Sequence, residues 1–167
     1  MHRLALSDFR CYGALTLTAD DRPAVVVGPN GAGKTNLLEA LSFLVPGRGL
    51  RRARLTDVSR RDADRRDPDQ APLPWAVAAT VAHPGGTVDI GTGLAPAMNG
   101  DAAGDLRRRV RIDGIDVRGQ AALGAHVRAL WLTPEMDRLF VEGASSRRRF
   151  LDRLVLAFDG AHGARLG

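Results

Sequence analysis

The sequence predicts an α/β fold in which a phosphate-binding loop joins a buried strand to a helix and antiparallel hairpins follow. The loop is the segment 28–35, GPNGAGKT, which matches the pattern G-x-x-x-x-G-K-[ST]. The apolar run 24–27 before it is typical of a buried strand, and residues 36–44 after it place apolar side chains at helical spacing. Strand, glycine-rich loop and helix in this order are the context that the motif requires.

The residue types of the loop suit the phosphates of a nucleotide with its magnesium ion. Glycines let backbone N–H groups surround the phosphates, and the helix N-terminus adds its partial positive charge. Lys34, the only lysine of the chain, would reach the terminal phosphates, and the Thr35 hydroxyl would hold Mg²⁺. The predicted nucleotide-binding residues are Gly28, Pro29, Asn30, Gly31, Ala32, Gly33, Lys34, Thr35 and Asn36.

The remaining elements are predicted from apolar patterning and turn residues. The helix after the loop should end at Pro46-Gly47, and an amphipathic helix is expected at 145–158. Strands are expected at 3–6, 15–18, 75–82, 87–90 and 107–112, a buried strand at 127–132, a tight turn at 83–86 and a mobile hairpin tip at 95–105. Small phosphate-loop kinases continue to alternate strand and helix, whereas ABC-type ATPase heads insert an antiparallel sheet, so this order favours the ABC-type head.

Composition indicates one domain without a membrane span or secretory signal. The chain has 167 residues and a formal net charge of +5, and none of its apolar runs approaches the ~18 residues of a membrane helix. Charge interrupts the N-terminal residues too early for a secretory signal, so a cytoplasmic location is expected. The single cysteine, Cys11, has no partner for an internal disulfide and is interpreted as an ordinary small residue.

Arginine clusters suggest a polyanionic partner, and they differ in how strongly they do so. The cluster at 60–66 is interleaved with aspartates and is interpreted as a solvated loop that neutralises itself. The run GRGLRRARL has no acid within it and is the better candidate for phosphate-backbone contact, the alternative being an ordinary exposed face. The predicted DNA contacts are Arg48, Arg51, Arg52 and Arg54.

Four segments together resemble the RecF family of bacterial recombination mediators, whose head domain is similar to those of SMC proteins. They are LSDFRCY at 6–12, GPNGAGKTNLLEALS at 28–42, PGRGLR at 46–51 and LWLTPEMDRLFVEGASSRRRFLDRLV at 130–155. The resemblance implies a P-loop NTPase fold: lobe I of an ABC-type ATPase head with an inserted antiparallel β-sheet, plus the start of a helical lobe. It implies an ATP-binding lobe at 1–143 and the first helix of a truncated helical lobe at 144–167.

The resemblance also implies a function. It indicates an ATP-dependent DNA-binding protein of recombinational repair, replication-fork recovery and SOS induction, with ATP and Mg²⁺ as cofactors. The implied partners are single-stranded and gapped or duplex DNA, a second copy in an ATP-dependent homodimer, and recombination mediator proteins, with no membrane. The alternatives are a small phosphate-loop kinase and an SMC-like head of another kind.

Three residues receive roles by this resemblance. Arg10 would reach the nucleotide, the alternative being a surface arginine after a core phenylalanine. Thr133 or Glu135 would replace the glutamine with which ABC-type enzymes sense Mg²⁺ and the attacking water; a helix cap or a first-turn acid is the alternative.

Two motifs required for ATP turnover are not found in the sequence. The nearest approach to an apolar strand followed by Asp-Glu is 154–159, but Asp159 precedes glycine and the segment has helical spacing. The LSxGQ-type signature is also missing. Both motifs are expected downstream of residue 167, so the chain is expected to be partial, to contain no catalytic residue of its own, and to bind ATP without turning it over.

Overall fold

The computed structural model describes residues 1–60, 73–96, 106–134, 136, 141 and 143–158. The chain divides into two compact units, residues 1–126 and residues 127–167. The phosphate-binding loop and the whole sheet belong to the first unit.

In the described part of the chain, six antiparallel strands form one sheet in the spatial order β2-β1-β3-β4-β5-β6. The five strands predicted from residues 3, 15, 75, 87 and 107 onward are confirmed, mostly with longer bounds, whereas the short β6 was not predicted. The strands are β1 Arg3–Phe9, β2 Tyr12–Thr18, β3 Trp75–His83, β4 Gly86–Pro96, β5 Leu106–Ile112 and β6 Ile115–Val117. The structure therefore combines helices with the antiparallel sheet that the sequence predicted for this α/β fold.

One face of the sheet carries the hydrophobic core. Strand alternation places Leu4, Val77 and Ile90 on this face, and each is almost completely buried. Helix α1, Lys34–Ser42, follows the phosphate-binding loop. Phe43, directly after α1, packs edge-on against Phe9 and Trp75 with ring centroids 5.9 and 5.2 Å away, so an aromatic cluster joins the end of the helix to β1 and β3.

Two predicted buried strands are wrong for this structure. Residues 24–27 are not a strand, and Val25 and Val27 are 84% and 83% exposed. Residues 127–132 are also irregular, with Leu132 75% exposed. A buried strand needs hydrogen-bonded neighbours as well as apolar side chains, and within the described ranges neither segment is paired in the sheet.

The remaining predictions have mixed outcomes. The late amphipathic helix is confirmed as α2, Ala144–Phe158, and the turn between β3 and β4 is present. Short 3₁₀ helices occupy Leu55–Val58 and Gln120–Ala125. The expected hairpin tip lies outside the described residues from 97 to 105. No helix in the described parts of the chain combines the length and apolar character needed to span a membrane.

Candidate nucleotide site

The last glycine of the phosphate-binding loop is required by its surroundings. Gly33 begins α1 with a φ of 93°, in the left-handed region that side-chain-bearing residues avoid. A Cβ added to Gly33 would lie 2.6 Å from the Tyr12 hydroxyl oxygen and 2.9 Å from Cys11 Sγ. The turn between β1 and β2 therefore packs directly on the loop, and only glycine fits at this position.

Lys34 closes the loop on itself. Its Nζ donates hydrogen bonds of 2.7 Å to the carbonyl oxygens of Gly28 and Pro29, which lie six and five residues earlier in the chain. Helix α1 begins without a side-chain cap and without an acidic residue in its first turn. Its first N–H groups and the lysine ammonium thus form a site of positive potential, which suits the phosphates of a nucleotide.

A polar cavity adjoins the start of α1. It has a volume of about 560 Å³ and is lined by Arg10, Cys11, Asn36, Asp57 and Ser59. This volume is within the range of small-molecule sites. Burial raises the pKa of the neighbouring Tyr12 hydroxyl, with a smaller contribution from Cys11, which further favours the neutral phenol.

Arg10 is fixed at the wall of this cavity by the two-residue turn between β1 and β2, where its φ is 55°. Its Nε and Nη2 donate to the two carboxylate oxygens of Glu39 at 2.8 Å each, and its Nη1 donates to the Asp57 carbonyl oxygen at 2.8 Å. The predicted role of Arg10 in nucleotide binding stays a prediction. The structure adds that its guanidinium is already oriented by three protein acceptors.

Glu39 was missed by sequence reasoning. Its side chain is fully buried on α1 and receives a second ion pair, 3.0 Å from Arg51 Nη1 to Glu39 Oε2. The same Arg51 nitrogen donates to Asn36 Oδ1 at 2.9 Å, and Asn36 Nδ2 contacts Cys11 Sγ at 3.2 Å. The available signal was that Glu39 is the only acid between Lys34 and Thr56, a segment that also contains four arginines.

The predicted DNA contacts thus fall into two groups. Arg51 is built into the network around Glu39, with its side chain still 44% exposed. Arg48, Arg52 and Arg54 are exposed, and their side chains form no hydrogen bond or ion pair with the described part of the protein. Arg48, Arg52 and Arg54 are therefore exposed positive charges in the segment that follows α1, whereas Arg51 is bonded to two residues of that helix.

Arg108 was also missed by sequence reasoning. From β5 it donates to the carbonyl oxygens of Phe43, at 2.7 Å, and Gly47, and its Nε donates to Thr92 Oγ1 at 3.0 Å. Its guanidinium carbon lies 5.5 Å from the centre of the Phe43 ring. Burial lowers the pKa of Arg108 to about 10, so it remains charged at neutral pH and neutralises the negative end of α1.

The structure describes only some of the residues predicted to bind Mg²⁺ or to replace the glutamine of ABC-type enzymes. Thr35 is exposed at the start of α1, where a hydroxyl could coordinate Mg²⁺. Thr133 lies in the second unit, where its carbonyl oxygen accepts a 2.8 Å hydrogen bond from the Met136 N–H, and Glu135 lies outside the described residues. In the ranges that the structure covers, no three His, Cys, Asp or Glu side chains form a metal-binding group.

Curated proteins and one domain family are similar to this chain. An AAA domain family matches residues 3–72. The RecF DNA replication and repair protein of Agrobacterium fabrum is 49% identical over 165 residues, covering 99% of this chain and 41% of that protein. RecF of Rhizobium meliloti is 50% identical over 163 residues, which cover 98% of this chain and 40% of that protein. The chain therefore spans about two-fifths of the length of these relatives.

Solved structures share the fold at low sequence identity. The recombination mediator protein RecF in its ATPrS form superposes with a TM-score of 0.73 at 22% identity, covering 94% of this chain and 38% of that one. An SMC ATPase studied for ATP-driven dimerisation and DNA-stimulated activation superposes with a TM-score of 0.63 at 16% identity. The match covers 92% of this chain and 98% of that one. These likenesses show a P-loop NTPase head fold.

Proposed function

Since this chain resembles the N-terminal part of the RecF DNA replication and repair proteins, we propose that it is the ATP-binding part of an ATP-dependent DNA-binding protein. The processes served would be recombinational repair, replication-fork recovery and SOS induction in the cytoplasm. The observation that carries the proposal is the loop of residues 28–35, closed by Lys34 at the uncapped start of α1 and adjoined by a polar cavity.

The proposed site holds different parts of the nucleotide at different residues. The phosphates would lie on the loop N–H groups and Lys34, and the Thr35 hydroxyl would hold Mg²⁺. The nucleoside would enter the cavity of about 560 Å³, where Arg10 and Asn36 offer donors and acceptors. Bound Mg²⁺ would neutralise phosphate charge, while this chain's own residues bind and orient the triphosphate.

Nucleic acid would be held by the exposed arginines after α1. Arg48, Arg52 and Arg54 are exposed and begin only six residues beyond the end of that helix. Arginine is suited to phosphate oxygens because its planar group donates two parallel hydrogen bonds. The proposed partners are single-stranded and gapped or duplex DNA, a second copy in an ATP-dependent homodimer, and recombination mediator proteins.

A small phosphate-loop kinase is the less favoured function. Such kinases build parallel sheets from alternating strands and helices, whereas all five pairings between the described strands are antiparallel. We propose that ATP acts in this protein as a switch for DNA binding and dimerisation.

The test measures MgATP binding and ATP hydrolysis by this chain and by Lys34→Ala, the matched variant. Each measurement is repeated with single-stranded DNA and with duplex DNA. We expect binding that depends on Lys34, with no turnover by this chain above the background of the variant. Failure to bind any nucleotide would refute the proposal. Lys34-dependent turnover would mean that a catalytic acid lies within these residues and would favour the kinase.

A further inference from the structure

We propose that Glu39 and Arg51 are positioning residues of the nucleotide site, acting through Arg10 and Asn36. Arg51 was predicted to contact DNA, but in the structure it also donates hydrogen bonds to Asn36, which lines the cavity, and to Glu39. The inference rests on the proposed nucleotide binding and adds two residues that touch neither the loop nor the cavity.

Arg10 is held in one orientation by its protein acceptors. A guanidinium has five N–H donors in a rigid plane, and Arg10 uses three of its nitrogens on Glu39 and Asp57. The bidentate pair fixes both the position and the plane of the group. The remaining N–H donors therefore have a set direction, and Arg10 lines the cavity. A fixed donor reduces the ordering required when a ligand accepts from it.

Two arginines share one carboxylate oxygen of Glu39. Glu39 Oε2 accepts from Arg10 Nε at 2.8 Å and from Arg51 Nη1 at 3.0 Å. Glu39 is fully buried, and a buried carboxylate is stable only when paired and hydrogen-bonded. Removal of Arg51 would take away one of the two arginines that the described residues supply to Glu39, and the Arg10–Glu39 pair would shift.

Arg51 also contacts Asn36 at the start of the helix. Arg51 Nη1 donates to Asn36 Oδ1 at 2.9 Å, which leaves the Asn36 amide nitrogen directed to Cys11 Sγ at 3.2 Å. Asn36 follows Thr35 and lines the cavity together with Arg10. A single nitrogen of Arg51 thus supports two cavity-lining residues, Asn36 directly and Arg10 through Glu39, although Arg51 does not itself line the cavity.

A matched arginine separates this local role from general charge. Arg118 is an exposed arginine of the same unit, outside the network around Glu39. Its replacement by glutamine removes the same unit of positive charge, so long-range attraction of MgATP should fall to a similar extent. Only Arg51→Gln also removes the hydrogen bonds to Glu39 and Asn36.

The experiment measures the MgATP affinity of the parent, Arg51→Gln, Arg51→Lys, Arg118→Gln and Arg51→Gln in an Arg10→Ala background. Near-UV circular dichroism confirms that each is folded. We expect Arg51→Gln to weaken binding by about threefold to thirtyfold and Arg51→Lys to restore part of the affinity. Arg118→Gln should lower the affinity only by the smaller long-range effect of one lost charge. In the Arg10→Ala background, Arg51→Gln should have a clearly smaller effect.

Equal affinities of the parent and Arg51→Gln would overturn this inference while leaving the proposed function intact. Equal decreases in affinity for Arg51→Gln and Arg118→Gln would also overturn it. So would a decrease caused by Arg51→Gln that is as large in the Arg10→Ala background as in the parent. A parent that binds no MgATP would overturn the proposed function and this inference with it.

Discussion

Arg10 and Glu39 form a two-pronged ion pair between the β1–β2 turn and the phosphate-loop helix. Arg10 Nε lies 2.8 Å from Glu39 Oε2, and Arg10 Nη2 lies 2.8 Å from Glu39 Oε1. The partners are 29 residues apart in sequence. This pair fixes the position of the turn on α1. Cys11 of the turn and Tyr12, the first residue of β2, pack on Gly33 of the loop.

Replacement of Glu39 by alanine should strongly destabilise the protein. The change would leave Arg10, which is mostly buried, without its counter-charge and would remove one partner of Arg51. Breaking a buried ion pair typically costs about 3–5 kcal/mol. Urea unfolding followed by circular dichroism measures the free energy of unfolding, and an unchanged midpoint would contradict the buried position of the pair.

Asp116 provides the contrasting, exposed case. Hydrogen bonding from Arg111, and then from Arg109, lowers the pKa of Asp116 below its ordinary value of 3.8. The unfolded chain then binds more protons in this range, so the stabilisation is present above pH 3.8 and is lost as the pH falls through the lowered pKa. Asp116→Asn should have a small effect at pH 7 that disappears in acid, measured by thermal unfolding across pH. An equal effect of Asp116→Asn on the melting temperature at pH 7 and in acid would argue against this ion pair.

Gly33→Ala should impair both folding and nucleotide binding. Gly33 combines a φ of 93° with a potential Cβ position 2.6 Å from the Tyr12 hydroxyl oxygen. Gly31 has a similar φ of 86°, but nothing lies within 4 Å of its potential Cβ, so Gly31→Ala isolates the conformational cost of about 1–2 kcal/mol. We expect a lower melting temperature for Gly33→Ala than for Gly31→Ala. Equal melting temperatures would show that the turn does not pack closely on the loop.

Arg108→Ala should destabilise the end of α1. The guanidinium donates to the carbonyl oxygens of Phe43 and Gly47, and those acceptors would lose their partner. We expect a decrease of about 2–4 kcal/mol in the free energy of unfolding, measured in urea. Arg108→Lys should recover only part of it, because an ammonium cannot reach several divergent acceptors as a planar guanidinium does. Full recovery by lysine would mean that charge alone matters at this position.

The exposed arginines after α1 should set the salt dependence of DNA binding. We expect replacement of Arg48, Arg52 and Arg54 by glutamine to weaken binding to duplex DNA. The slope of log K against log salt should fall by about 1 for each DNA phosphate that is no longer paired with an arginine. Fluorescence anisotropy across salt concentrations measures both quantities. Arg22 and Arg111, which are ion-paired to aspartates, provide control replacements. An unchanged slope would exclude this surface from DNA binding.

The sequence allowed much of the fold to be predicted, but not the contacts around the site. The loop and five strands follow local rules, because turn residues and alternation of apolar side chains act within a few residues. The ion pair of Arg10 with Glu39 and the donation of Arg108 to Phe43 join residues 29 and 65 positions apart. Such pairs depend on which faces meet in the folded chain, and side-chain spacing along the sequence does not contain that information.

The sequence by itself determined the proposed phosphate site, because glycines, a lysine and a threonine at fixed spacing before a helix supply the donors that phosphates require. Tertiary structure alone decided that Glu39 is buried between two arginines and that Arg51 faces the helix as well as the solvent. It also decided that residues 24–27 are exposed despite their apolar character. The physical reason is the same in each case: burial and pairing of a residue depend on the segments that fold against it, and these are distant in the chain.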